Sequence, residues 1–96
     1  MNHIERLKEL IEREYGTTAN HVDTVPVLET FEGETIWDGE VEVFNVPEFS
    51  GADQVFAWTF NDDNGEQQVT VAQIPPATSP ENAVKAYIVS QYGKGN

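Results

Sequence analysis

The run FAWTFNDDNGEQQVTV (56–71) admits few local structures. Phe56, Trp58 and Phe60 alternate with small or polar residues, as do Val69 and Val71, and a period of two is the pattern of strands buried on one side. Between the two arms lies Asn64-Gly65, and both residue types tolerate the positive φ angles of a tight hairpin turn. With those two residues as the loop, Asp63 faces Glu66, Phe60 faces Val69, Trp58 faces Val71 and Phe56 faces Gln73. Aromatics and valines then share one face, so turn chemistry and alternation agree.

A second hairpin reads out of HVDTVPVLETFEGETIWDGEVEVF (21–44). With Glu32-Gly33 as its turn, Phe31 faces Glu34, Leu28 faces Trp37, Thr24 faces Val41 and Val22 faces Val43. Glu34, Asp38, Glu40 and Glu42 recur on the reverse side of the second strand, so acid faces water while Trp37, Val41 and Val43 face the core. Pro26 has no amide hydrogen to offer a neighbour, which puts the first strand at a sheet edge, and Gly39 across from it marks a place for a bulge. His21 and Asp23 fall on one strand face, within reach of each other. Phe44 shares the parity of the acids, and Phe49 lies in the connecting segment VPEFSGAD (46–53). Either a bulge near residue 43 returns Phe44 to the core, or Phe31, Phe44 and Phe49 make an apolar spot beside the acids, a docking surface in composition.

Both ends of the chain read as helices. Ile4, Leu7, Leu10 and Ile11 recur at helical spacing up to Tyr15, with Asn2 as cap, Gly16 as stop and Glu9–Arg13 as a favourable i,i+4 pair. At the other end IPPATSPENAVKAYIVSQYG (74–93) ends the last strand with two prolines. Ser79 caps, Pro80 takes the first helical turn, Val84, Tyr87 and Ile88 form the apolar stripe, and Gly93 stops the helix. The predicted fold is α+β, ordered α-β-β-β-β-α: a four-stranded antiparallel meander with both terminal helices packed on its aromatic face. It forms a single domain over 1–93, with a frayed tail at 94–96 and a core of Trp58, Phe56, Phe60, Leu7, Val71 and Ile88.

The formal charge is −12, and its distribution carries the information. No lysine or arginine occurs between Arg13 and Lys85, a stretch that holds fourteen of the seventeen carboxylates. Such a field repels nucleic acid and anionic lipid and attracts basic protein surfaces. Crowding is expected to hold these carboxyl groups' pKa values up, so that stability rises as pH falls from neutral toward about 5. The chain has no cysteine, its first residues have no apolar leader segment and its apolar runs are short, from which we expect a cytoplasmic protein without a membrane span. The two histidines, His3 and His21, are expected to be structural or surface groups, and no metal or other cofactor is expected. In DDNGE (62–66), Phe60 sits where a calcium loop needs its first ligand. No G-x-S-x-G, G-x-G-x-x-G or P-loop pattern occurs, and Ser79 reads as a cap rather than a nucleophile.

The run at 21–44, with the later AWTF (57–60) and IPPATSPENAV (74–84), resembles a family of small uncharacterised bacterial proteins of about this length. The resemblance covers most of the chain and implies no activity, cofactor or site residue. The helix-meander-helix order is also similar to double-stranded-RNA-binding domains, but those modules depend on lysines that this chain lacks. The expectation is a non-enzymatic protein-interaction domain with Glu34, Asp38, Glu40, Glu42, Phe44 and Phe49 as candidate contacts to a basic partner. One alternative is a nucleic-acid mimic, because outward residues on a strand repeat at about 6.5–7 Å, close to the phosphate spacing of a DNA strand. The other is a small hydrolase or ligand-binding domain with a pocket between sheet and helices.

Overall fold

The computed structural model describes residues 2–93; the tail expected at 94–96 lies outside them. The elements are α1 (His3–Tyr15), β1 (Asn20–Phe31), β2 (Glu34–Asn45), β3 (Gln54–Asp62), β4 (Gly65–Ala72) and α2 (Pro80–Gly93). The four strands form one antiparallel meander in the order β1-β2-β3-β4. The caps are those the sequence calls for. Asn2 accepts from the Glu5 amide at 2.9 Å, Gly16 at φ 64° returns its amide to the Glu12 carbonyl, and Ser79 Oγ accepts from the Asn82 amide at 3.1 Å. The i,i+4 ion pair on α1 is Lys8–Glu12, at 2.8 Å, in place of the expected Glu9–Arg13.

The helices lie on opposite faces of the sheet, not together on one. α1 contributes Leu7 and Ile11 to a core with Phe44, Val46, Val55 and Ala57, while α2 contributes Ala83 and Val84 to a second core with Val27, Val41, Val43, Phe56 and Trp58. Val55 and Ala57 thus serve one side, Phe56 and Trp58 the other. The physical reason is that Val41–Phe44 and Val55–Trp58 are buried at every position, as strands covered on both faces must be. On the α2 side the indoles of Trp37 and Trp58 meet edge to face at 5.5 Å, and Trp58 meets Tyr87 in the same way at 5.3 Å. Of the expected core, Trp58, Phe56 and Leu7 are fully buried, Val71 and Ile88 half-buried, and Phe60 stays 36% exposed near the hairpin end.

Both hairpins form where predicted, and both change register. At β3–β4 the loop is Asp63-Asn64, with Asp62 opposite Gly65. Asp62 Oδ1 accepts from the Asn64 amide at 2.8 Å, drawing the turn back by one residue, and only Gly65 takes a positive φ (103°). Trp58 therefore opposes Val69 and Phe56 opposes Val71, a slide of two residues that leaves every side chain on its predicted face.

The β1–β2 turn is Glu32-Gly33 with both φ positive (51° and 83°) and Phe31 opposite Glu34, as expected. Two extra residues then interrupt the ladder: Ile36 on β2 and Val22 on β1. They offset the register by one residue over the middle of the hairpin and cancel at its ends. Thus Leu28 opposes Asp38, Thr24 opposes Glu42 and Asp23 opposes Val43, while His21 opposes Phe44. No register shift falls at Gly39; its bare Cα instead accommodates the Trp37 indole, which a Cβ would meet at 3.2 Å.

Pairing between the two hairpins is short. β2 and β3 are matched only from Glu42↔Ala57 to Asn45↔Gln54, so the arm of the first hairpin beyond Glu42 extends past the central ladder.

Candidate functional site: an acidic hairpin arm beside a buried carboxylate

The four acids of β2 occupy three environments. Residues directly opposite on an antiparallel pair share a face, so Asp38, Glu40 and Glu42 lie on the α1 side with Leu28, Pro26 and Thr24. Glu34 precedes the Ile36 bulge and shares the α2 side with its partner Phe31, which borders an apolar groove of about 410 Å³ with Ile36, Ile88 and Val89. Glu34, Asp38 and Glu40 are exposed. Glu42 is not: 1% of it reaches solvent. The even row that the nucleic-acid-mimic reading needs is therefore broken at both ends.

Glu42 is buried because α1 starts directly over it. His3, in the first turn of α1, places Nε2 3.2 Å from Glu42 Oε2, and His21 on β1 places Nε2 2.8 Å from Oε1, which also accepts from the Thr24 hydroxyl. An ionised carboxylate only accepts hydrogen bonds, so both imidazoles carry a proton on Nε2. Burial alone would raise the Glu42 pKa, but the bonds from Thr24, His21 and His3 outweigh it and hold the group below its usual value. The Val22 bulge makes this cluster: it turns His21 to the α1 side, where its ring lies 5.3 Å from that of Phe44, and leaves Asp23 opposite Val43 on the other face. The expected His21–Asp23 pairing is thereby lost. Among the described residues, no group of three or more His, Asp or Glu side chains is arranged to hold a metal ion.

Two further carboxylates are displaced in the same direction. Lys8 and the Ala19 amide lower Glu12, and the Thr18 amide and hydroxyl lower Glu48, with Thr17 adding a third bond and burial opposing in both cases. They clamp the link between α1 and β1. At Glu42 and Glu48, hydrogen bonding reverses the expectation that crowding holds the carboxyl groups of the middle of the chain up.

Phe44 is wholly buried under α1, and Phe49 is half-buried with its ring edge-on to Tyr15 at 5.1 Å, so neither forms the apolar spot. Phe44 reaches the core without a bulge near residue 43 on its own strand, because α1 covers the face that the acids occupy. The exposed apolar residues beside the acids are Leu28 (60%) and Phe31 (64%), with Ile36 on the same arm. Next to the arm is a polar cleft of about 470 Å³ lined by Asn2, His3, Arg6, Glu40, Thr59 and Glu66. Arg6 spans it to Glu66 through two bonds of 3.1 and 2.9 Å. In that cleft His3 Nε2 is committed to Glu42, and the lining hydroxyl is that of Thr59. No protein-family model, curated protein or solved structure matches the chain. No helix among the described residues is long and apolar enough to cross a membrane.

Proposed function

We propose that this chain is a non-enzymatic protein-interaction domain whose β1–β2 hairpin arm docks a basic, partly apolar segment of another protein. The observation that carries the reading is the composition of the arm: Glu32, Glu34, Asp38 and Glu40 stand exposed beside Leu28, Phe31 and Ile36, and no lysine or arginine occurs in any of the four strands. Uncompensated carboxylates steer a cationic partner, and each face of the arm pairs acid with apolar side chains that supply contacts surviving screening: Asp38 and Glu40 with Leu28 on the α1 side, Glu34 with Phe31 and Ile36 on the α2 side. Glu42 and Phe44 hold α1 on the sheet and Phe49 packs on Tyr15, so the contact set reduces to Glu34, Asp38 and Glu40 with the apolar residues of the arm.

A lysine-rich peptide containing one leucine serves as probe, titrated into isotope-labelled protein and followed by amide chemical shifts. Shifts are expected over the arm, weakening as salt rises, and lost in the Asp38→Lys/Glu40→Lys protein, whose fold is kept because both side chains are solvated. Binding of the double variant with unchanged affinity, or shifts confined to other elements, overturns the proposal.

A further inference from the structure

The two outer edges of the sheet are built differently. β1 carries Pro26 in its middle, the Val22 bulge near its start, and Asp23 and Glu29 along its length. Proline, bulges and charges are the devices that keep an edge strand from pairing with another chain. β4 has neither proline nor bulge, and its single charge is Glu66, next to the turn. Gln67–Ala72 is free of charge, proline and glycine, and β4 matches β3 without a register shift from Gly65 to Ala72. Among the described residues no backbone bond from a loop or helix reaches the outer side of Gln67–Val71. The nearby helix touches this strand through side chains only: Tyr15 and Glu14 to Thr70, and Arg6 to Glu66.

We infer that the β4 edge is a self-association surface, on which a second copy of this chain adds its own β4 antiparallel to form a continuous eight-stranded sheet. Charge selects the occupant. The arm recruits cations, whereas the β4 edge offers a neutral ladder, and a second β4 is matched to it. A two-fold axis at Val69 sets Val69 against its own copy, Gln67 against Val71, Gln68 against Thr70 and Glu66 against Ala72, so the single carboxylate of the strand never meets its like. Val69 and Val71, which pack against the α2-side core, are extended by the same residues of the second copy. The axis is perpendicular to the sheet, so both hairpin arms present the same face. An edge of this length buries less than a standard interface, which makes the dimer weak and concentration-dependent. Each copy carries −12, so the dimer tightens as salt screens their repulsion, opposite to the binding of a basic peptide by the arm.

The test is sedimentation velocity of the full chain over a range of concentration at low and high salt, with Gln67→Pro and Gln68→Pro. In an antiparallel ladder successive residues turn their amides alternately inward and outward. One proline therefore breaks the β3 ladder and lowers the melting midpoint, while the other removes only an outward donor. The wild type is expected to dimerise at high concentration, more so in high salt, and the proline variant that keeps the wild-type melting midpoint is expected to stay monomeric. A wild type that remains monomeric at millimolar concentration in high salt overturns the inference. So does a dimer that persists in the stable proline variant, or growth beyond the dimer.

Discussion

Replacing Glu42 by Gln tests whether the buried carboxylate or merely its shape holds α1 to the sheet. Gln preserves the volume but presents one acceptor and one donor where His3, His21 and Thr24 all point at acceptors. The three bonds go from charge-assisted, at about 1.5–3 kcal/mol each, to neutral, at about 0.5–1.5, and one meets a donor head-on. Part of that loss is returned because a neutral amide is easier to bury than a carboxylate. The net expectation is a loss of about 2 kcal/mol at pH 7, or about 8–16 °C in melting midpoint for a domain of this size. Because the folded Glu42 has a lowered pKa, its contribution is complete above the unfolded carboxyl value and disappears as pH falls through the folded one. Wild type and variant should therefore converge in acid, while the contributions of Glu12 and Glu48, lowered in the same direction, cancel in the difference. Thermal melts of both proteins, from neutral pH down to the lowest pH at which both still fold, measure this. Equal midpoints at pH 7, or a gap that stays constant into acid, would refute the assignment of Glu42 as a charged anchor.

Two more substitutions check the turns and the core. Glu32 is the one non-glycine residue with positive φ among those described, so Glu32→Asn should stabilise the hairpin by about 0.5–1 kcal/mol, read as a higher urea midpoint; a lower midpoint would show that the turn is not of the two-residue type. Trp58→Ala should cost about 3–5 kcal/mol, whereas Trp58→Phe should stay within about 1 kcal/mol, because it also removes a buried indole N–H that has no partner among the described residues; equal losses in the two variants would contradict this.

What could be read from the sequence was local. Asn2, Gly16 and Ser79 cap the helices through neighbours a few residues away, and the Glu32-Gly33 turn needs only two residues. The Asp62 side chain moved the other turn by one residue, and only the geometry of the loop reveals which aspartate captures the amide. The placement of the helices had a signal that alternation concealed: VFAW (55–58) is apolar without a break, which already requires cover on both faces. Glu42 had none. It continues the period-two row of acids, and its burial depends on where α1, thirty-nine residues earlier, sets down His3. The bulges at Val22 and Ile36 are equally silent in the sequence, because together they reconcile the register set by the turn with the one taken over the middle of the hairpin.

The negative charge of β2 is thus not one property but two, divided by where hydrogen-bond donors converge. His3 and His21 both meet Glu42, Lys8 meets Glu12, and Arg6 meets Glu66, and all of these contacts lie on or beside α1. A carboxylate within reach of α1 becomes part of the fold, lowered in pKa where it accepts several bonds. Beyond the last β2–β3 pair no lysine or arginine stands on either strand, and the same residue type remains a source of field. Surface ion pairs contribute little to stability, so leaving the arm unpaired costs the fold little while it sharpens the potential that the proposed basic partner would meet. The β4 edge stands at the opposite limit, neutral and regular. If both proposals hold, screening weakens attraction at the arm and relieves repulsion between copies at the edge, so raising the salt concentration moves the two associations in opposite directions, as one shared, nonspecific stickiness would not.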